Sequence, residues 1–352
     1  MAVNSRPLYQ LSYAGASGAA WATTWADPDR VARRAKDSRG PLSRSRCHTS
    51  WVESPIIAPE ALSAWIAERR SDLRVVDVRW YLGQPKGTGR TAYEAGHIPT
   101  ASHLDIDTEL TSRSGPGRHP LPDPADFAAM LALAGIGDGD LVVAYDDVGG
   151  WVAARLWWML DDLGFGADGR GGAMVLDGGL QAWTGAGFPL TTEQPDNLPA
   201  SLTLAPRWRR VVEREELKAQ LGDVLLLDAR GGPRYRGETE PIDPVPGHIP
   251  TAINAPVDGN LDPDGRFRSP AELAGRLDEL RAAAGVGGLG GAADPGSRVV
   301  VSCGSGVSAT HIALAMRIAG LPDPILYPGS YSDWSTAGEA VADGPEPGAP
   351  LR

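Results

Sequence analysis

The feature that most constrains this chain is a long internal repeat. Val75-Val76-Asp77-Val78-Arg79 recurs as Leu226-Leu227-Asp228-Ala229-Arg230, and Gly96-His97-Ile98-Pro99-Thr100-Ala101 recurs as Gly247-His248-Ile249-Pro250-Thr251-Ala252, both at an offset of 151 residues. Gly178 and Trp183 match Gly329 and Trp334 at the same offset. A register held over that span, with so long a period, means two copies of a whole domain rather than a solenoid of short repeats. At 352 residues, each copy has enough chain to bury a core of its own.

Within each copy, short apolar runs alternate with helix-like stretches. In the first copy, residues 73–78, 141–145 and 174–176 read as strands, and 123–134 and 152–163 as helices. The second repeats this with strands over 224–228, 298–302 and 325–327 and helices over 270–284 and 308–319. The pattern predicts an α/β protein of two tandem domains, each a mainly parallel sheet flanked by helices. The expected limits are a disordered leader over 1–50, the first domain over 51–190, a Pro-rich polar linker over 191–210, the second domain over 211–340 and a disordered tail over 341–352. Residues 285–297, with six glycines, read as a flexible loop.

Hydrophobic residues make up 42% of the chain and charged residues 22%, the balance of a soluble globular protein. No apolar run approaches the roughly 18 residues of a membrane span, so no membrane partner is expected. A net charge of −11 repels phosphate backbones and argues against nucleic acid, while leaving room for a small anion held locally. Two cysteines, Cys47 and Cys303, are too few for a disulfide framework or a four-ligand zinc site, which fits a reducing cytoplasm and calls for neither metal nor cofactor. The leader crowds Arg30, Arg33, Arg34, Lys36, Arg39, Arg44 and Arg46 among small residues. It reads as an unstructured extension or a start codon placed too early. An organellar transit peptide, which would put the protein in an organellar matrix, is the alternative. Cys47, inside it, reads as an incidental thiol.

Cys303 stands at the end of the strand Val299-Val300-Val301-Ser302, followed by Gly304-Ser305-Gly306-Val307-Ser308 and a helix. In open α/β sheets ligands bind beyond such strand ends. Gly304 and Gly306 let backbone N–H groups converge as an anion nest, and the helix N-terminus adds favourable potential. That setting favours a nucleophilic thiolate. A cysteine that only packs a core needs no Gly-X-Gly turn behind it. His248, in the repeated motif, reads as a fold element with Pro250 fixing a turn, whereas His97 stays open between structural and functional roles.

Together these residues resemble the rhodanese family, specifically its tandem two-domain members, the thiosulfate and 3-mercaptopyruvate sulfurtransferases. The likeness runs from Trp51 to Trp334 and is carried by the Cys303–Ala309 loop, by Asp228-Ala229-Arg230 through Arg234-Tyr235-Arg236-Gly237, and by the doubled Gly-His-Ile-Pro. It implies an inactive first domain, in which Tyr145 or Asp146 takes the place of the thiol. It also implies a covalent cycle in which Cys303 becomes a persulfide cradled by amides of Gly304, Gly306, Val307 and Ser308. The sulfur would come from a small anionic donor and pass to cyanide or a thiol, including a thioredoxin-like protein. Neutral Gly-Ser-Gly loops accompany 3-mercaptopyruvate in the family, and basic ones thiosulfate. The resemblance casts Ser305 with His97 as a proton relay to the departing enolate and Arg234 as a grip on the donor's anionic group. Where a second arginine is expected, the chain has Ile242, leaving Arg236 or Arg230 to compensate or to serve as ion-pair residues.

Two rivals remain. A cysteine phosphatase needs an arginine closing the loop, and Ala309 stands there. A persulfide carrier or regulatory binding module, which forms the persulfide but hands it only to a protein, shares every residue so far named.

Overall fold

The computed structural model describes residues 54–284 and 298–350. The leader with Cys47 and the glycine-rich stretch over 285–297 lie outside the described residues.

The first copy contains β1 (Ile56–Ile57), α1 (Pro59–Ala67), β2 (Leu73–Asp77), α2 (Thr88–Ala95), β3 (Ser102–His103), α3 (Pro124–Leu133), β4 (Leu141–Tyr145), α4 (Ala153–Asp162), β5 (Gly172–Leu176) and α5 (Gly179–Gly185). The second contains α6 (Arg214–Ala219), β6 (Leu225–Asp228), α7 (Gly232–Tyr235), β7 (Ile253–Asn254), a 3-10 turn (Val257–Asn260), α8 (Pro270–Ala283), β8 (Val299–Ser302), α9 (Ala309–Ile318), β9 (Ile325–Leu326) and α10 (Ser330–Thr336). Sheet order is β1-β5-β4-β2-β3 in one copy and β7-β6-β8-β9 in the other, and every named strand pair is parallel. The two orders coincide once Val211, bridged in parallel to Leu326, is seen as the remnant of β1 in the second copy. The sheets are thus parallel and flanked by helices, as the sequence predicts.

Local chemistry explains where the helices start. Asp123 caps α3 by accepting from the Ala125 N–H at 2.8 Å, and Ser269 with Glu272 closes a capping box on α8, each followed by proline in the first turn. The central strands β6 and β8 are buried at every residue, consistent with a sheet covered on both faces. Helix α4 is buried at nine of its ten positions because one side meets its own sheet and the other meets α9, the equivalent helix of the second copy. Trp158 of α4 is 1% exposed and stacks on Trp208 at 5.7 Å. Burial of each such side chain is worth about 1.5–3 kcal/mol. The apolar core between the two sheets therefore runs unbroken from one copy into the other.

An ionic knot reinforces that seam. Arg317 on α9 reaches Asp161 on α4 at 2.9 Å, while Arg210 in the connecting segment binds Asp162 at 2.8 Å and Asp161 and Asp323 at 2.5 Å each.

The linker and tail depart from expectation in the same way. Thr191 bridges His97, and Ala342 bridges His248. Each imidazole lies between two backbone carbonyls, Tyr93 and Glu193 for His97, Tyr235 and Glu346 for His248, and stacks on its own tyrosine at 3.9 and 3.8 Å. Residues 341–350, expected to be disordered, instead finish the second copy, with Thr251 N–H donating to the Pro347 carbonyl at 2.5 Å. Backbone pairing, invisible in a Gly- and Pro-rich composition, is the reason.

Candidate active site

Strand register resolves which residue of the first copy stands opposite Cys303. Asp77 pairs with Tyr145 in β2–β4 and Asp228 with Ser302 in β6–β8, so the residues that follow, Asp146 and Cys303, are equivalent. Leu180 N–H donates to the Asp146 carbonyl, as Tyr331 N–H does to that of Cys303. The fully buried Asp146 carboxylate turns into its own loop and accepts from the N–H groups of Val148, Gly150, Val152 and Ala153 at 2.8–2.9 Å. Burial pushes its pKa up, against those four hydrogen bonds. The first copy therefore carries an amide nest at the position equivalent to Cys303, filled by the Asp146 carboxyl group.

In the second copy a cysteine sulfur stands at the equivalent position. Cys303 is 2% exposed and closes a cavity of about 180 Å³ between the two copies. Gly306 N–H points at Sγ at 3.1 Å, and the Cys303 N–H donates to Ser330 Oγ at 3.1 Å. Gly306 has φ +75°, and a Cβ there would stand 2.5 Å from the Pro328 carbonyl oxygen, so this turn needs glycine on both counts. Gly304, Ser305, Val307 and Ser308 line the same cavity.

Arg155, on α4 of the first copy, supports the loop from behind. Its guanidinium is completely buried and donates to the carbonyls of Gly306 at 3.0 Å and His119 at 2.9 Å. No carboxylate pairs with it among the described residues. Burial brings its pKa down to about 10, opposed by the Cys303 sulfur.

Beside Cys303, Ser305 Oγ lies 2.7 Å from His119 Nδ1, and His119 Nε2 lies 3.1 Å from Asp107 Oδ1. Because a carboxylate only accepts, Nε2 carries the proton and Nδ1 accepts from the serine hydroxyl. Trp80 Nε1 donates to the other Asp107 oxygen at 3.1 Å and packs edge-on against the imidazole. Burial holds His119 below the usual histidine value, while the hydrogen bond from His119 lowers Asp107. This Ser-His-Asp line spans the two copies.

Ser305 therefore meets a histidine, and that histidine is His119. His97 does not line the cavity, and both its ring nitrogens face backbone carbonyls. A signal for this was present: His97 has a twin in His248, whereas Gly265, which stands five residues before the proline that opens α8 as His119 does before that of α3, is no histidine. A turn built twice repeats its histidine, but a site built once does not.

Arg234 lines the cavity, bound to Glu240 at 2.7 Å and Asp243 at 3.0 Å. Arg230 also reaches it but is held by Asp228 at 2.7 Å and lies over the Tyr331 ring at 3.9 Å. Arg236, expected to help grip the donor, folds back on Glu238 at 2.7 Å and does not line the cavity; nor does Ile242. Arg118 does line it, a residue that sequence reasoning passed over.

Comparison with known proteins agrees with this architecture. The family model for the Rhodanese-like domain matches twice, at residues 58–186 and 213–337. The chain belongs to the rhodanese family. It is 42% identical over 286 residues to a probable 3-mercaptopyruvate sulfurtransferase of Pseudomonas aeruginosa, covering 80% of this chain and 95% of that one. It is 38% identical over 286 residues to the putative thiosulfate sulfurtransferase SseB of Mycobacterium tuberculosis, covering 80% and 94%. The solved 3-mercaptopyruvate sulfurtransferase from Leishmania major superposes with a TM-score of 0.66 at 30% identity, covering 81% and 75%. This tandem rhodanese-family chain is a sulfurtransferase. Its relatives' names divide between two donors.

Proposed function

We propose that Cys303 takes a sulfane sulfur from 3-mercaptopyruvate and passes it to a thiol, such as that of a thioredoxin-like protein in a reducing cytoplasm, or to cyanide. The observation that carries the choice of donor is the hydrogen-bonded line Ser305–His119–Asp107 beside the thiol. When the Cys303 thiolate attacks the mercaptan sulfur, the Sγ–S bond forms, the donor's S–C bond breaks, and the electron pair leaves as an enolate. Ser305 delivers a proton to that enolate, giving pyruvate. The mercaptan's own proton, acidified once its sulfur belongs to a persulfide, returns through His119. Thiosulfate expels sulfite, a stable anion that needs no such proton. Positioned proton transfer of this kind is worth about 10²–10⁴ in rate.

The persulfide anion sits where the first copy holds the Asp146 carboxylate, against converging amides and the buried Arg155. An acceptor thiolate or cyanide then attacks the outer sulfur and regenerates the Cys303 thiolate.

Turnover to thiocyanate with each donor tests this reading. The expected result is a kcat/KM for 3-mercaptopyruvate exceeding that for thiosulfate by about a hundredfold or more. A preference for thiosulfate would reject it.

A further inference from the structure

The loop around Cys303 is held from its carbonyl side. Tyr331 N–H donates to the Cys303 carbonyl at 3.0 Å and Ser332 N–H to the Gly304 carbonyl at 2.9 Å, both from the start of α10. The stretch that carries His119 docks at the same place: Ser332 Oγ accepts the Arg118 N–H at 3.1 Å, and a Cβ on Gly117 would stand 2.5 Å from the Gly329 carbonyl oxygen. The Gly306 carbonyl is anchored from elsewhere. It accepts from Arg155 Nη1 at 3.0 Å, across the seam from the first copy. A trans peptide is planar, with its C=O and N–H pointing opposite ways, and no cis bond occurs among the described residues. Each anchored carbonyl therefore turns the N–H of the residue after it, Gly304, Ser305 or Val307, back toward the cavity these three residues line. Gly306, at φ +75°, has no Cβ to favour one orientation of its peptide, so the anchor decides it.

The internal repeat isolates what Arg155 adds. Arg155 and His311 are each the third residue of their helix, α4 and α9, and each crosses to the loop of the other copy. Arg155 takes the Gly306 carbonyl, and His311 Nε2 faces that of Gly149 at 3.2 Å. The two glycines have φ +75° and +79°, and stand three residues after Cys303 and Asp146 respectively. A neutral ring is enough to bridge the copies behind Asp146. Behind Cys303 the bridge is a fully buried guanidinium with no carboxylate partner among the described residues, an arrangement that opposes folding. What the guanidinium gains is a second arm: Nη2 donates to the His119 carbonyl at 2.9 Å, the residue whose imidazole meets Ser305.

We infer that Arg155 is a positioning residue for sulfur transfer that sets two parts of the site at once. Through the Gly306 carbonyl it turns the Val307 N–H toward the sulfur on Cys303, and through the His119 carbonyl it holds the imidazole against Ser305. The inference rests on Cys303 as the sulfur carrier and on the proposed relay. It gives the first copy a hold on the cradle as well as on the relay, and it makes both depend on the seam between α4 and α9.

Kinetics with both donors separate the two arms. Arg155→Met removes both, so kcat for thiosulfate should fall about 10²-fold, the loss of one aimed amide. For 3-mercaptopyruvate, which also needs the relay, the fall should be larger by about tenfold or more. KM for each donor should stay within about threefold, because Arg155 does not line the cavity. Arg155→Lys has one nitrogen where the fork has two and cannot span both carbonyls. Its kcat for 3-mercaptopyruvate should fall about tenfold, between the other two proteins, and it decides the matter if the methionine variant does not fold. Lower thermal stability with kcat for both donors unchanged is what a purely structural residue would give, and would overturn the inference. A rise in KM without a fall in kcat would overturn it as well, and equal kcat losses for the two donors in the methionine variant would overturn the hold on the relay. Crystal structures of the variants read the geometry without turnover: the Gly306–Val307 peptide should be turned or the His119 carbonyl displaced. Both left in place would overturn the hold of Arg155. If the unmodified protein transfers sulfur from neither donor, the proposed reaction fails while those structures still judge Arg155.

Discussion

Ser305 Oγ and His119 Nδ1 lie 2.7 Å apart across the boundary between the two copies, with Asp107 at 3.1 Å on the far side of the ring. The Cys303 loop and its proposed proton relay thus come from different domains. On that proposal the first copy retains a function although its own nest is filled by Asp146.

Asp107→Asn should remove the acceptor that fixes the His119 tautomer. Turnover of 3-mercaptopyruvate is expected to fall about 10²–10⁴-fold, with thiosulfate turnover changed far less. Asp107 also opposes the burial that lowers His119, so the acid limb of the kcat/KM profile should move to lower pH in the variant. His97→Asn, made alongside, should lower thermal stability with little effect on the pH profile. Steady-state kinetics across pH on both variants check this.

Asp146→Ala should destabilise the protein without touching the thiol. It leaves four N–H donors unsatisfied, three of them buried, at a cost of about 3–5 kcal/mol. A fall of that size in denaturant stability, with Cys303 alkylation by iodoacetamide unaltered in the folded protein, is the expected outcome.

His311 should govern part of the acid stability. It is fully buried on α9, and Asn260 donates to Nδ1 at 3.1 Å while Nε2 faces the Gly149 carbonyl of the first copy at 3.2 Å. Arg276 holds the Asn260 oxygen at 2.8 Å and so fixes which way the amide points. Only the neutral ring satisfies both neighbours, and burial lowers the pKa from 6.5 to about 3. Above pH 6.5 neither the folded nor the unfolded ring is protonated and the contribution is complete. As pH falls below 6.5 the unfolded state takes up a proton first, and stability drops by about 1.4 kcal/mol per pH unit until the folded ring also protonates near pH 3. Urea unfolding between pH 7 and 4 should show this slope, reduced by one proton in His311→Gln.

How much of this could be read from the sequence depends on where each residue sits in the fold. The repeat revealed two domains, and the apolar runs placed six strands and four helices within a residue or two of where they lie, because buried parallel strands and paired helices impose their own periodicity; the shorter elements went unread. Cys303 was recognisable because it stands directly at a strand end, and Arg234, on α7 beyond β6, only through the family resemblance. His119, Asp107 and Arg118 belong to a stretch with no regular structure, positioned only by docking on the second copy at Gly117 and Ser332, so spacing carries no trace of it. His97 was a candidate through the family resemblance, whereas its recurrence as His248 already pointed to a structural turn. The tail looked disordered because its order comes from strand-like pairing with His248.

In the proposed reaction Cys303 itself carries the transferred sulfur. Exposure to one equivalent of 3-mercaptopyruvate without an acceptor, followed by peptide mass analysis and a pyruvate assay, measures it directly. One added sulfur atom on the peptide containing Cys303, pyruvate released in equal amount, and neither in Cys303→Ser, is the expected result. Sulfur found on another residue, or full turnover by the serine variant, would contradict it.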